Sequence, residues 1–283
     1  MSFNLALYME RKLVIATMHG KEQVLAPLFQ QLGFGVSVAQ QINTDALGTF
    51  TGEIERTFTP IEAAIAKCHL AIQQTGIPCA VASEGSFGPH PHYYWLASDE
   101  EFVVFVDCEN DLQIVGKVIS TGTNFSAANC KKWEDVQLFA KQVQFPSHAV
   151  IAKKSKNDFS EIEKGIQSSE ALFEVANLWL NQHGQIYLET DMRAMFNPSR
   201  MKVIKQAGEA LVNKFKQQCP QCRAPGFDVV KNIQGLICAV CGMPTQNTLA
   251  YRYGCKKCGF FQEKMYPKGQ KVADPQFCES CNP

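Results

Sequence analysis

Eight cysteines near the end of the chain occur in four C-x-x-C pairs. The pairs CPQC, CAVC, CKKC and CESC consist of Cys219, Cys222, Cys238, Cys241, Cys255, Cys258, Cys278 and Cys281. A C-x-x-C turn directs two thiolates at one metal ion, and two such turns complete a closed tetrahedral shell of four cysteines. The four pairs therefore predict two structural zinc ions. Sequential pairing, the first pair with the second and the third with the fourth, is the simplest arrangement, and nested or interleaved pairing stays open.

The sequence around these pairs contains little that could form an apolar core. Strand-like pieces are short and cover residues 235–237, 249–253 and 260–266. Metal binding must therefore supply the folding free energy of this segment. A redox role for the pairs is the alternative, although no thioredoxin-like pattern surrounds them. Contact with nucleic acid also stays open, beside a simple solvated face, because the segment carries Arg252, Lys256, Lys257, Lys264, Lys268 and Lys271.

Three polar loops follow predicted strands in the first half of the chain. They are ATMHGKE at 16–22, NTDALGTFTGEIER at 43–56 and SEGSFGPHP at 83–91. Ligands bind at the carboxyl ends of the strands in open α/β sheets. In the first loop, Lys21 and the backbone N–H groups before a helix can hold a phosphate, and His19 is a candidate acid–base group. The second loop adds Asp45 and Glu53 as candidate catalytic carboxylates.

Glu84 stands directly after the third predicted strand, CAVAS. A carboxylate in such a buried position needs a cation or hydrogen-bond donors. Glu84 is therefore a candidate Mg²⁺ ligand or general base. The acidic run 99–101 is interpreted instead as an exposed turn before the next strand. Arg193 and Arg200 belong to a polar cluster before the last helix, either as phosphate contacts or as part of an ordinary capping and ion-pair cluster.

Alternating apolar runs and helical patterns extend from residue 12 to about residue 154 and indicate an α/β domain. The predicted strands cover 13–17, 36–39, 79–83, 102–107 and 113–121, and the predicted helices cover 22–32 and 60–75. Pro60 suits a first helical position, with Thr59 as its cap. Further helices are predicted at about 159–181 and at 198–217.

The predicted fold class is therefore α/β, with a mixed sheet flanked by helices and followed by a C-terminal double zinc ribbon with two four-cysteine sites. We expect three parts. Residues 1–157 form the α/β domain with the phosphate and metal site. Residues 158–217 form a helical connector packed on that domain, and residues 218–283 form the double zinc ribbon.

Composition narrows the class of protein further. The chain has 283 residues with 46% hydrophobic content, which is enough for a substantial core. Its 27 basic and 27 acidic residues balance, so no overall positive field attracts it to nucleic acid or to an anionic membrane. Without a recognisable signal peptide or an apolar run of membrane-spanning length, we expect a cytoplasmic protein with no membrane partner. The remaining cysteines are expected to be small buried side chains: Cys68, Cys79, Cys108 and Cys130.

The order of the motifs in residues 12–122 resembles the inosine/xanthosine triphosphatase superfamily of house-cleaning nucleotide pyrophosphatases. VIATMHGK matches that family's AT-x-N followed by Lys, with His19 in place of Asn, and AAIAKCHLAIQQTGIPCAVASEGSFG runs in the family's order. The resemblance implies that Thr17 and Lys21 contact phosphate, that Lys67 faces the site, and that Glu84 binds Mg²⁺ or activates water. The implied reaction is hydrolysis of a nucleoside triphosphate to the monophosphate and pyrophosphate.

Taken as a whole, ATMHGKE, GTFTGE and SEGSFGPHP with terminal C-x-x-C pairs look like an uncharacterised bacterial family of unknown function. The leading hypothesis is a metal-dependent phosphohydrolase acting on a nucleotide, with Mg²⁺ as a cofactor beside two structural Zn²⁺ ions. The alternative is a non-catalytic zinc-ribbon factor that binds nucleic acid or protein. The oligomeric state stays open.

Overall fold

The computed structural model describes residues 8–39 and 58–283. The predicted loop that carries Asp45 and Glu53 lies outside these ranges. The described chain forms two compact units. One is Glu10–Val212, and the other is Asn213–Pro283 together with Tyr8 and Met9.

A five-stranded mixed sheet forms the first layer of the unit Glu10–Val212. Its strands are β1 (Lys12–Ala16), β2 (Gly35–Val38), β3 (Cys79–Pro89), β4 (Ala97–Asp107) and β5 (Leu112–Ser120), in the order β2-β1-β3-β4-β5. β1 pairs with β2 and β3 in parallel, whereas the pairs β3-β4 and β4-β5 are antiparallel. This arrangement confirms the predicted fold class of a mixed sheet flanked by helices.

Helices cover both faces of this sheet. α1 (Glu22–Gln30) joins β1 to β2, and α2 (Pro60–Thr75) precedes β3. α2 packs Ala64, Cys68 and Ala71 against the face that carries Val14 and Ala80. The ring of Phe29 in α1 contacts Phe34, which contacts Phe105 on the opposite face. Because β2 and β3 lie on opposite sides of β1, the strand order reverses at the carboxyl end of β1, where open α/β sheets bind ligands.

Local sequence signals account for the start of α2. Thr59 accepts a hydrogen bond from the backbone of Glu62, whose carboxylate accepts one from the backbone of Thr59, and Pro60 occupies the first turn. This capping box satisfies two N–H groups that a helix start would otherwise leave unpaired. The predicted boundaries of this helix and its cap are confirmed.

The hairpin of β3 and β4 is longer than its apolar segments suggest. Glu84 pairs with Phe102, and the ladder continues to Pro89 opposite Ala97. The predicted loop at 83–91 is therefore strand over most of its length. The interpretation of residues 99–101 as an exposed turn is also wrong, because these residues lie in β4 and two of them are buried. Buried charged side chains interrupt the apolar alternation by which a strand is recognised.

A second sheet of four strands lies in the same unit, in the order β6-β9-β7-β8. Its elements are β6 (Ala127–Cys130), α3 (Trp133–Gln142), β7 (Val150–Ser155), β8 (Asp158–Ile166), α4 (Ser169–His183) and β9 (Ile186–Thr190). α3 and α4 pack on it through residues that include Phe139, Leu172 and Ala176. The helix predicted at 159–181 is wrong in its first half, which forms β8. Apolar spacing there fits a helix face, but pairing with β7 decides the outcome.

α5 (Pro198–Lys216) is the last helix of the α/β region. A Cβ at Gly116 in β5 would lie 2.2 Å from the carbonyl oxygen of Ala207, so α5 packs directly on the backbone of the first sheet. A short 3-10 helix, Ala194–Phe196, precedes it. The predicted part boundaries at residues 157 and 217 stay a prediction. Among the described helices, none combines the length and the apolar character needed to cross a membrane.

The unit that contains the cysteines has a small antiparallel sheet. Its strands are β10 (Asp228–Gln234), β11 (Thr248–Gly254) and β12 (Phe261–Met265), in that order. All five residues of β12 are exposed. Such a sheet buries too little apolar surface to hold its shape without another source of stability.

Candidate functional site

The structure brings the eight C-x-x-C cysteines together in two groups of four. One group is Cys219, Cys222, Cys255 and Cys258, and the other is Cys238, Cys241, Cys278 and Cys281. Nearest sulfur atoms lie 3.7 and 3.6 Å apart in the first group, and 3.9 and 3.5 Å apart in the second. Zinc bonded to four thiolates at about 2.3 Å requires sulfur atoms about 3.8 Å apart. Both groups therefore fit a tetrahedral zinc site.

The pairing is interleaved, so the sequential pairing expected from the sequence is wrong. The β10-β11 hairpin explains this result. Asp228 pairs with Gly254, which places the first cysteine pair near the third. The second pair lies in the connection at the other end of this hairpin, where Cys238 forms a bridge with Ala273, close to the fourth pair. The spacing of the cysteines along the sequence does not indicate which pairs the hairpin brings together.

The turns around the cysteines have the backbone that metal binding requires. Gly242 and Gly259 follow the second and third pairs with φ values of 71° and 72°. Glycine adopts this left-handed conformation without steric cost. Arg223 takes the same conformation after the first pair, with φ 59°. Hydrogen bonds from backbone N–H groups of Cys241 and Val240 lower the pKa of Cys238 to about 7, whereas the side-chain hydrogen bond with Cys241 raises the pKa of Cys281 in the same group to about 12.

A second group of polar residues lies where the strand order reverses in the first sheet. We call it the buried charge cluster, and it consists of Lys21, Lys67, Glu84, Asp99, Glu101 and Arg200. Every one of these side chains is buried. Lys21 is the residue immediately before α1 and donates a hydrogen bond from Nζ to the carbonyl oxygen of Ser83, 3.0 Å away. Lys67 on α2 forms an ion pair with Glu84 on β3.

The remaining members lie on the opposite face of β3 and β4. Arg200, at the start of α5, holds Glu101 through a 2.6 Å contact between Nε and Oε1 and donates another hydrogen bond to the carbonyl oxygen of Met192. The guanidinium carbon of Arg200 also lies 5.1 Å from the centre of the Phe87 ring. Glu101 is opposite Gly85 in the ladder, and Asp99 is opposite Phe87. The buried charge cluster therefore occupies both faces of the first sheet, with Lys67 of α2 on one face and Arg200 of α5 on the other.

Burial and mutual charge shift the pKa values of two members in opposite directions. Burial, and next the positive charge of Arg200, lower the pKa of Lys21 to about 8. Burial, and next the negative charge of Glu101, raise the pKa of Asp99 to about 8. Within the described part of the chain, Asp99 Oδ1, Glu101 Oε2 and Ser83 Oγ are buried without a hydrogen-bond partner. Unsatisfied buried oxygens of this kind are costly and call for a functional explanation.

The structure groups some residues proposed from the sequence and separates others. Lys21, Lys67 and Glu84 lie together. The backbone N–H of His19 donates to Thr17 Oγ1 at 3.3 Å in the same loop. Asp45 and Glu53 lie outside the described residues. Arg193 forms a bidentate pair with Asp191 instead of joining Arg200.

The sequence offers Arg200 as a phosphate contact or as part of an ion-pair cluster, whereas Asp99 and Glu101 of the buried charge cluster are not evident from it. The local pattern puts these two acids in an exposed turn. Their only sequence signal is the spacing of two acids by two residues immediately before an apolar run, which would place them on one face of a strand. Cys108 is a further correction, because it is exposed in the turn after β4, whereas Cys68, Cys79 and Cys130 are buried as expected.

A cavity of about 290 Å³ lies beside the buried charge cluster, within the unit Glu10–Val212. His19 lines it from the loop after β1 and Phe87 from β3, and Ile151 and Tyr187 contribute from the second sheet. The segment Phe125–Ala127 also lines it. Its volume is close to the lower end, about 300 Å³, of the range for small-molecule sites.

Comparison with known proteins places the chain in a family. No curated protein matches the sequence. A family model described as "Domain of unknown function (DUF6671)" matches residues 67–283. This range contains five of the six members of the buried charge cluster, all except Lys21, and all eight C-x-x-C cysteines. Since the match covers more than half of its length, the chain belongs to the DUF6671 family.

Proposed function

We propose that the unit Glu10–Val212 is a metal-dependent phosphohydrolase that acts on a nucleotide. The observation that supports this proposal is the buried charge cluster at the strand-order reversal. Moving an ionised side chain from water into the protein interior costs roughly several kcal/mol of free energy, even after the surrounding protein relaxes. Six buried ionisable side chains at the ligand-binding end of an open sheet are better explained by a charged ligand than by stability. The resemblance of VIATMHGK and SEGSFG to nucleotide pyrophosphatases is the reason to choose nucleotides.

The cationic members provide the phosphate-binding part of the site. Lys21 stands at the start of α1, where backbone N–H groups and the helix dipole also favour an anion. With a pKa of about 8, Lys21 is largely protonated at neutral pH. Its low pKa reflects burial and nearby positive charge, both of which a bound phosphate offsets. Lys67 and Thr17 are the further phosphate contacts in this proposal.

The carboxylates provide the metal-binding part. Mg²⁺ is usually held by one or two carboxylates, with water and substrate phosphates as its other ligands. The unsatisfied Glu101 Oε2 has the chemistry of such a ligand, and Asp99, whose raised pKa of about 8 keeps it largely protonated at neutral pH, would release its proton when it binds the metal. A bound Mg²⁺ would neutralise negative charge on the phosphate oxygens.

Glu84 has the remaining chemical role. Lys67 pairs with the Glu84 carboxylate on the α2 side of β3 and fixes its position. In the proposed step, Glu84 accepts a proton from the water that attacks phosphorus, while the bond from phosphorus to the leaving phosphate oxygen breaks. The leaving phosphate departs as an anion. His19 stays a candidate for donating a proton to it.

Hydrolysis of a nucleoside triphosphate panel with Mg²⁺ tests this function through the release of phosphate and pyrophosphate. Glu84→Gln should lower turnover by roughly a hundredfold or more, as loss of a general base does. Glu100→Gln is the matched control, because Glu100 lies in β4 and pairs with Lys117 at 2.5 Å, outside the cluster. Absence of turnover in the unmodified protein, or equal turnover in Glu84→Gln, would contradict the proposal.

A second function, a non-catalytic factor that binds nucleic acid through the zinc ribbon, has one specific observation in its favour. Phe261 on β12 is 60% exposed, and the guanidinium of Arg252 lies 5.1 Å from its ring centre. Exposed aromatic rings beside cations form platforms for single-stranded nucleic acid. Salt-sensitive binding of single-stranded RNA or DNA, together with no turnover on the nucleotide panel, would favour this second function.

A further inference from the structure

Charge is distributed unevenly around the cavity beside the buried charge cluster. Both of its acids are already neutralised: Glu189 by Lys153 at 2.8 Å and Asp191 by Arg193 at 2.6 Å. Lys156 and Lys164, from the β7-β8 hairpin, also line the cavity. The lining carries three cationic side chains, those of Lys156, Lys164 and Arg193, and two acidic ones, a balance that favours an anionic ligand.

The rest of the lining suits an aromatic group. The rings of Phe87 and Phe125 lie 5.6 Å apart, and Tyr187 and Ile151 extend the apolar wall. Planar rings are stabilised against such surfaces both by burial and by ring stacking. Backbone contacts hold this wall in place, because Thr190 donates its N–H to the carbonyl oxygen of Ser126 at 3.0 Å. A ligand that matches the cavity has an aromatic ring and an anionic group.

The cavity and the buried charge cluster share a wall. Phe87 lines the cavity and lies against Arg200, and Met192, another lining residue, accepts a hydrogen bond from Arg200. His19 lines the cavity two residues before Lys21. A ligand that occupies the cavity therefore lies next to Arg200, which holds Glu101, on the face of β3 opposite to Glu84.

We infer that the cavity binds the nucleoside monophosphate portion of the substrate, with the base against Phe87, Phe125 and Tyr187, and a phosphate against Lys156 and Lys164. This inference rests on the proposed function for the identity of the ligand. It assigns the β7-β8 hairpin of the second sheet to substrate binding, whereas the first sheet carries the reacting groups. Binding of a nucleoside monophosphate needs neither Mg²⁺ nor turnover, so it can be measured separately.

Calorimetric titration of the full chain tests the inference. AMP, GMP, CMP and UMP are the probes, and inorganic phosphate and the uncharged nucleosides are the comparisons. Lys156→Met and Lys164→Met keep the apolar stem and remove the charge, so each should weaken monophosphate binding by roughly tenfold or more. Lys154→Met is the matched control, because Lys154 belongs to the same hairpin and is not among the cavity residues. Phe125→Ala should weaken monophosphate binding without changing the weak binding of inorganic phosphate.

The outcomes separate this inference from the proposed function. Turnover on nucleotides without measurable monophosphate binding, or with binding unchanged in both cavity lysine variants, would overturn the cavity assignment and leave the hydrolase standing. Monophosphate binding with the expected variant pattern but no turnover would retain the cavity and overturn the hydrolase. Inorganic phosphate that binds as tightly as the monophosphates, or an equal loss in Lys154→Met, would also overturn the inference.

Discussion

At the residue scale, the buried charge cluster depends on Gly85, a residue without a side chain. A Cβ at Gly85 would lie 2.3 Å from Glu101 Oε1 and 2.9 Å from Arg200 Nη2. Such distances do not occur for real Cβ atoms, so any larger residue would displace the ion pair. By contrast, a Cβ at Gly88 in the same strand would meet nothing within 4 Å. Gly85 is therefore the position at which the β3 backbone makes room for a charge pair.

Asp99 should make the stability of the protein depend on pH. Its pKa is raised from 3.8 to about 8 by burial and by Glu101. Because the folded state binds this proton more tightly, the stabilising contribution is complete below about pH 4 and is lost as pH rises towards 8. Asp99→Asn removes this titration. Denaturant unfolding between pH 5 and 7.5 should show the free energy of unfolding of the unmodified protein falling relative to that of Asp99→Asn, by at most about 1.4 kcal/mol per pH unit.

Lys21 does not obscure this measurement. Its pKa is lowered from 10.5 to about 8, so it changes stability between about pH 8 and 10.5, where stability rises with pH. Asp99 and Glu101 interact, so the titration belongs to the pair. Parallel pH profiles for the unmodified protein and Asp99→Asn would show that the carboxyl group is not kept protonated in the folded state.

The residues of the candidate sites differ in how far sequence can reveal them. Cysteine spacing identifies the four turns because two thiolates of one turn reach one metal without help from the rest of the fold. Glu84 follows an apolar strand and attracts attention for that reason. Asp99 and Glu101 are not predicted as site residues because a charged residue at the start of a strand is usually solvated. Glu101 is buried together with Arg200, its ion-pair partner 99 residues away in the sequence. Long-range charge pairs leave no local pattern.

At the element scale, segments with both a periodic pattern and an end signal can be predicted. α2 has an apolar face, a capping box and a left-handed Gly76 at its end, with φ 69°. β8 lacks comparable signals, since it contains Gly165 with φ 75° and buries only one of its nine residues fully. Its pairing with β7 is what makes it a strand. In the second sheet, the apolar runs HAVIAK and QIYLET indicate β7 and β9, but β6 has no such signal, because it is only four residues long and joins β9, more than fifty residues later.

The contact between α5 and β5 predicts a large effect for a small substitution. Gly116→Ala would place a Cβ 2.2 Å from the carbonyl oxygen of Ala207 and 2.5 Å from the backbone nitrogen of Leu211. These are backbone atoms of a helix, so α5 itself must move, at a cost of roughly 1–3 kcal/mol. Gly35→Ala is the control, because its nearest atom would be 3.9 Å away.

Urea unfolding followed by tryptophan fluorescence measures this difference. The chain has three tryptophans, Trp95, Trp133 and Trp179, and all of them lie in the unit Glu10–Val212, so the signal reports that unit. The midpoint should fall for Gly116→Ala and stay equal or rise slightly for Gly35→Ala, since alanine reduces the entropy of the unfolded chain. Equal midpoints for the two variants would mean that α5 does not rest on the β5 backbone.

At the scale of the whole molecule, the two units obtain their stability from different sources. The unit Glu10–Val212 has apolar cores on two sheets, including residues such as Phe105, Val136 and Leu188 that are almost fully inaccessible. The unit containing Asn213–Pro283 has a three-stranded sheet and two four-cysteine groups. Zinc is therefore expected to contribute to folding only in the latter, where metal binding replaces a core.

Interleaved pairing makes the two zinc sites depend on each other, because each site closes a loop that contains a cysteine pair of the other. Protein loaded with ¹¹³Cd in place of zinc should give two metal resonances. Correlation with cysteine Hβ protons should link Cys219 and Cys255 to one resonance, and Cys238 and Cys278 to the other. Correlation of Cys219 with Cys238 on one metal would restore the sequential ribbon arrangement.

Cys255→Ser should remove the metal of the first site and weaken the binding of the metal in the second site. If the two sites were independent, one metal would stay bound with unchanged affinity.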